Sequence, residues 1–179
     1  MISVIICSLI TKPEKRDIIK RCVGSLKDAD EIIVYAPTNY NDGFCKSWNY
    51  AASLASGDSL VFIGDGNIQM TGSLKDLVIE DTVSCPLING KSQEFWGFVF
   101  CVPRDIYEKH GLYDMIYNEG CHYMDSDLWE RYKSLGVPLK SVKTINFHHP
   151  TGGATVESSP DFFTRAQINS AIFNERWKK

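Results

Sequence analysis

The chain has 179 residues, of which 44% are hydrophobic and 23% charged, with a formal net charge of −3 at neutral pH. That length is enough for one domain with a buried core, and the balance excludes a disordered polymer and any bulk attraction for nucleic acid or anionic lipid, so a phosphate-bearing ligand has to be held locally. No apolar run reaches the roughly 18–20 residues of a membrane span, and the first residues enter a strand rather than a signal peptide, so no transmembrane segment and a cytoplasmic location are expected.

Ile2–Cys7 reads as an apolar strand and Ser8–Lys12 as the loop after it. Thr11 and Glu14 have capping-box spacing with Pro13 in the first turn, and Ile18, Ile19, Cys22, Val23 and Leu26 then recur at helical spacing. Glu31–Tyr35 makes the next strand and Ala36–Gly43 a polar loop. Phe44–Ser56 is expected to be a helix that buries Trp48, Ala51, Ala52 and Ala55 and is capped by Gly57. Leu60–Ile63 is apolar without alternation, which suits a parallel strand covered on both faces. It runs into Gly64-Asp65-Gly66-Asn67, an acidic turn at the carboxyl end of a strand, where open α/β sheets keep their sites. The glycines let the backbone turn sharply, and Asp65 and Asn67 each offer an oxygen that a hard cation can share with phosphate. The alternative is a tight loop in which both side chains bond their own backbone. Leu74–Val78 reads as a short helix. Strands alternating with helices imply right-handed crossovers in an α/β fold with a mostly parallel central sheet and flanking helices.

In the second half, Thr82–Pro86 and Phe95–Val102 read as strands and Arg104–His110 as a short helix ended by Gly111. Tyr113–Tyr123 is a loop carrying Asp114, Glu119 and His122, and it leads to Asp125-Ser126-Asp127-Leu128 at the start of a helix that ends near Gly136. Acids in a first turn are favoured by the helix dipole, so capping is the plain reading of Asp125 and Asp127. Leu139–Phe147 is a last strand handing over to His148-His149-Pro150, and Ser159 and Pro160 open a terminal helix in which Phe163 and Ala166 pack back on the body. The cysteines (Cys7, Cys22, Cys45, Cys85, Cys101, Cys121) include no C-x-x-C pair and read as small apolar residues of a reducing compartment. One domain over 1–179 is expected: a nucleotide-binding half to about residue 70, an acceptor and catalytic half over about 82–155, and a C-terminal helix over 159–179.

In this order the pieces resemble a family 2 glycosyltransferase of the GT-A type. The residues that carry the resemblance are Ser3–Cys7, Trp48–Ala52 with Ala55–Asp58, the turn Phe62–Asn67, Trp96-Gly97-Phe98 through Arg104, Gly111–Asp114 and Met124–Arg131. The similarity spans roughly residues 2–155. Three departures accompany it: Tyr35-Ala36-Pro37 lacks the family's nucleobase-binding acid, the D-x-D-like turn ends in Asn67, and Met124 stands where a glutamate is usual. The chain is short for the family and lacks a membrane-anchoring tail, as expected of a compact soluble enzyme such as a reduced viral genome encodes.

The resemblance implies a GT-A-like nucleotide-binding fold and transfer of a sugar from a nucleotide-sugar donor to an acceptor hydroxyl. The leaving diphosphate then calls for a divalent cation, Mn²⁺ or Mg²⁺, held by Asp65 with Asn67 and His148; His149 is the alternative imidazole. Asp125 takes the family's general-base position, with inversion expected because no second acid is evident on the opposite face of the sugar. Ser8, Leu9, Ile10, Lys46 and Asp65 are expected on the donor side and Trp96 and Asp127 on the acceptor side, with Asp127 the alternative base or a support of the helix start. Glycan, lipid-linked and other hydroxyl acceptors stay open, nucleic acid among them. Two rivals remain: a nucleotidyltransferase, although Ser8–Lys12 lacks a glycine-rich basic phosphate loop, and a catalytically weak sugar-nucleotide or glycan-binding module, motivated by Asn67 and Met124. A dinucleotide oxidoreductase is disfavoured, since no G-x-G-x-x-G follows a strand.

Overall fold

The computed structural model describes residues 1–8, 13–37, 43–117, 122–149 and 162–178. β1 (Ile2–Cys7) pairs in parallel with β2 (Glu31–Tyr35) on one side and β3 (Ser59–Ile63) on the other. The helices between them are α1 (Pro13–Ser25), with proline at a position whose amide has no intrahelical partner, and α2 (Phe44–Ser53), which buries Cys45, Trp48, Ala51 and Ala52 at helical spacing. The second half adds β4 (Ile68–Thr71), β5 (Val83–Ile88), β6 (Val99–Pro103), α3 (Arg104–His110), α4 (Met124–Ser134), β7 (Leu139–His148) and α5 (Phe162–Trp177). Together the strands form one seven-stranded sheet in the order β2-β1-β3-β6-β5-β7-β4.

The pairings make β1, β2, β3, β5 and β7 run one way and only β6 and β4 the other, so the sheet is mostly parallel. Both faces are covered. Along β3, Leu60 and Phe62 enter the core under α2, α4 and α5, while Val61 and Ile63 enter the core under α1 and the 3₁₀ turn Leu74–Leu77. This two-sided burial is why these strands lack polar alternation. Among the described residues no helix is long and apolar enough to cross a membrane.

Several boundaries differ from expectation for local reasons. α2 ends at Ser53, with Leu54 at its cap, and Gly57 serves another purpose. Its backbone presses on β1, where an added Cβ would lie 2.7 Å from the Met1 carbonyl oxygen. The strand expected from Phe95 begins at Val99, because Trp96 and Phe98 turn inward before it. β4 was not anticipated; it exists by antiparallel pairing with β7, Ile68 opposite His148. In α5 the buried face runs through Asn169 and Phe173, four residues apart, and Phe163 is 73% exposed. Thr11 of the expected capping box lies outside the described residues.

Candidate active site

β1, β3, β5 and β7 all deliver their carboxyl ends to one edge of the sheet. That edge therefore collects Ser8, the Gly64–Asn67 turn, Asn89 and His148-His149, and antiparallel β6 begins there, bringing in Gly97 and Phe98. It includes the topological switch point, since the chain leaves β1 toward β2 on one side and returns as β3 on the other.

At the switch point Ser8, buried, donates from Oγ to Asp65 Oδ2 at 2.6 Å, and the Lys15 ammonium of α1 lies 3.3 Å from the same oxygen. The Lys15 and Asp65 side chains are 17% and 24% exposed, so the pair is shielded but reachable. Lys15 escaped the sequence reading. Its signal is position: a cation in the first turn of the helix that follows a switch-point strand.

Gly66 takes φ of 88°, which lets the turn bring Asn67 back beneath it. Asn67 is fully buried, and its Nδ2 donates to the Gly64 carbonyl at 2.6 Å. The self-bonding alternative is thus realised for Asn67, whereas Asp65 reaches Ser8 and Lys15. Asn67 Oδ1 faces His149 Nδ1 at 2.9 Å. The His149 ring stacks on Phe98 with centroids 4.3 Å apart, and the Phe98 carbonyl accepts from the Gly64 amide at 2.7 Å. Burial holds the His149 imidazole below its ordinary pKa, helped by His148 and opposed by Asp65. His148 is exposed, with Nδ1 3.0 Å from Asn89 Oδ1. The histidine brought to the Asp65 turn is therefore His149. The two-residue strand period held the signal: Phe147 points in, His148 out and His149 in again.

Asp125 is half-buried in the first turn of α4, its Oδ1 accepting from the Ser126 amide at 2.8 Å. It packs directly on Gly97, where an added Cβ would come within 2.6 Å of Oδ2 and 2.8 Å of Cγ. The Gly97 carbonyl accepts from the Tyr113 hydroxyl at 3.1 Å. Burial, and then the charge of Asp125, push that phenol far above its usual pKa and keep it a donor.

Asp127 is fully buried, one residue beyond the accessible face. Its Oδ1 accepts from Trp177 Nε1 at 2.8 Å and lies 3.2 Å from Arg176 Nη1, and its Oδ2 is 3.9 Å from Arg131 Nε. That environment fastens α5 to α4 and leaves no face of the carboxylate for an acceptor. Trp96 is half-buried between the two core layers, its ring 5.5 Å from Phe98, and Lys46 is exposed on the first turn of α2. Leu9 and Ile10 lie outside the described residues. The His110 carbonyl accepts from Arg131, and the His122 carbonyl from Asn169, in keeping with structural roles.

Among the described residues no three His, Cys, Asp or Glu side chains form a metal-holding cluster. Two side chains of the required kind belong to this end of the sheet, the Asp65 carboxylate and the His149 ring, which feels the charge of Asp65. A hard cation that keeps phosphate oxygens and water in its shell needs no more from the protein. The residues present fit such a cation through Asp65 and His149; the Asn67 oxygen is engaged by His149 instead.

No protein-family model matches the chain, and no curated protein matches it in sequence. Solved structures do match in fold. GalNAc-T7 bound to UDP, GalNAc and Mn²⁺ superposes with a TM-score of 0.70 at 12% identity, over 96% of this chain and 48% of that one. Glucosyl-3-phosphoglycerate synthase from Mycobacterium tuberculosis, bound to Mn²⁺, UDP-glucose and glycerol 3-phosphate, gives 0.63 at 13% identity, over 98% of this chain and 79% of that one. The catalytic domain of Drosophila β1,4-galactosyltransferase 7 with xylobiose gives 0.61 at 14%, over 80% of this chain and 64% of that one. The chain thus has the GT-A fold and spans about half the length of the first of these.

Proposed function

We propose that the chain is a glycosyltransferase that moves a sugar from a nucleotide-sugar donor to an acceptor hydroxyl, assisted by a divalent cation and with inversion at the anomeric carbon. The observation that carries this reading is the dipeptide Gly97-Phe98. Gly97 lies against the Asp125 carboxylate, and Phe98 lies against both Gly64 and His149. Consecutive Cα atoms are about 3.8 Å apart. The candidate base and the candidate leaving-group site therefore flank a single dipeptide, as transfer of one sugar requires. The GT-A neighbours, one solved with UDP, GalNAc and Mn²⁺ and another with UDP-glucose and Mn²⁺, support the same reading.

In this proposal Ser8, with Leu9 and Ile10, holds the nucleoside, and Asp65 and His149 hold Mn²⁺ or Mg²⁺, His149 in preference to His148. Bound there, the cation neutralises the departing diphosphate. Ser8 and Lys15 orient Asp65 from one side, and Lys46 belongs to the donor side. On the other side Asp125 accepts the proton of the acceptor hydroxyl as its oxygen bonds to the anomeric carbon and the bond from that carbon to the diphosphate breaks. Tyr113 stays protonated and fixes the Gly97 carbonyl, which keeps the wall behind Asp125 in position. Trp96 flanks the acceptor side, and Asp127 acts through α4 as a support.

One observation favours a second reading, a sugar-nucleotide-binding module: the turn offers a single carboxylate, whose Oδ2 already has two partners. A donor screen that detects released nucleoside diphosphate separates the two. A transferase releases it with at least one donor and acceptor, and Asp125→Asn suppresses that release while binding the donor normally. Tight donor binding with no release from any pairing leaves the binding module.

A further inference from the structure

The geometry points to Asn67 as a positioning residue that locks His149 in one tautomer, with the proton on Nδ1 and the lone pair on Nε2. Asn67 sits at the acidic turn and invites assignment as a ligand, yet its amide is used at both ends. Nδ2 lies 2.6 Å from the Gly64 carbonyl oxygen, which can only accept, so the amide cannot be reversed without setting two oxygens face to face. Its orientation is therefore fixed by the backbone. The opposite end, Oδ1, can only accept as well, and it is 2.9 Å from His149 Nδ1, so that nitrogen must carry the hydrogen.

The rest of the frame fixes the ring and the chain around it. Phe98 stacks on the imidazole with an interplanar angle of 27° and takes the Gly64 amide on its own carbonyl, closing a loop through Gly64, Asn67, His149 and Phe98. Asn89 holds the backbone of His149 at both ends, its Oδ1 accepting from the His149 amide at 3.1 Å and its Nδ2 donating to the His149 carbonyl at 3.0 Å. A buried, doubly bonded amide is a costly thing to keep unless its orientation matters. What it yields here is an imidazole whose free nitrogen is determined in advance. On the reading that His149 holds a cation, on which this consequence rests, that nitrogen is Nε2, and the amide that aims it stands one shell behind the metal.

The test is a ¹H–¹⁵N correlation of the imidazole rings in metal-free, ring-labelled protein near pH 8, with His149 assigned by the peak missing from His149→Gln. The expected result is a protonated Nδ1 and an unprotonated Nε2 for His149. A wild-type His149 with its proton on Nε2 overturns the proposal without any Asn67 variant. Asn67→Leu, similar in volume, should mix the tautomers and weaken Mn²⁺ binding in the presence of a nucleoside diphosphate by about 10-fold or more. An unchanged tautomer in folded Asn67→Leu also overturns it. If His149→Gln binds Mn²⁺ as tightly as wild type, the metal reading of His149 fails, while the tautomer result still decides the role of Asn67.

Discussion

Two neighbouring acids illustrate how one helix start divides its labour. Asp125 is half-buried beside a glycine, and Asp127 is sealed beneath α5. Asp125→Asn is nearly isosteric but cannot accept a proton at neutral pH, so turnover should fall by about 100-fold or more with donor affinity intact, as steady-state kinetics and donor titration would reveal. Gly97→Ala is a complementary probe. The new methyl would fall on the Asp125 side chain and has to push it aside, so activity should drop by a comparable factor while nucleoside diphosphate binding changes little. A Gly97→Ala chain with native turnover would separate Asp125 from the chemistry. Much of this pair was legible beforehand: the acids announced a helix start, and the resemblance singled out Asp125. The partner of each was not, because Gly97 and Trp177 are distant in sequence and nothing in a local pattern pairs them.

At the scale of elements, α5 is held by charge as much as by apolar contact. Arg176 lies between Asp114 Oδ2 at 2.8 Å and Asp127 Oδ1 at 3.2 Å. Burial works to raise the Asp114 carboxyl, but the Ile116 amide and Arg176 outweigh it and hold its pKa below the ordinary value. A depressed carboxyl stabilises the fold above its unfolded pKa of about 3.9, and that contribution disappears as pH falls through the folded value. The docking of α5 should therefore be independent of pH down to about 4 and weaken below it, as amide exchange along the helix would record. Asp127→Asn should cost about 1–3 kcal/mol in denaturant unfolding, since Arg176 and Arg131 lose their buried anion, and should cost less turnover than Asp125→Asn. The opposite ranking would return Asp127 to the role of base. Strands with continuous apolar runs, such as β1 and β3, could be read from the sequence because burial on both faces dictates composition. β4 could not: Ile68-Gln69-Met70-Thr71 alternates over only four residues, and the alternation misleads because Gln69 is buried and Met70 is exposed; only β7 beside it makes it a strand.

Across the whole molecule, a sheet with five strands in one direction brings Ser8, the Gly64–Asn67 turn and His148-His149 to one edge, which is why the general location of the candidate site follows from the order of elements. The order of elements alone does not specify which of two adjacent histidines faces inward, for which the two-residue strand period is needed, nor which oxygen of the turn does, which depends on the Asn67 and Phe98 contacts made on folding. Metal linkage tests that inner arrangement. Mn²⁺ should tighten nucleoside diphosphate binding in wild type and in His148→Ala, and much less in Asp65→Ala or His149→Ala; equal tightening in all four would remove both residues from the cation site. The stereochemical outcome is the remaining expectation for the molecule as a whole. Asp125 borders Gly97, the leaving-group turn borders Phe98, and among the described residues neither Asp65, bonded to Ser8 and Lys15, nor buried Asp127 is presented as a second carboxylate for a covalent intermediate. The proposed mechanism is accordingly a single displacement, in which the acceptor oxygen, deprotonated by Asp125, attacks the face of the anomeric carbon opposite the diphosphate. Proton NMR of the first-formed product should therefore show the anomeric configuration inverted relative to the donor, and retention would require a nucleophile that this arrangement does not supply and would remove Asp125 as the base.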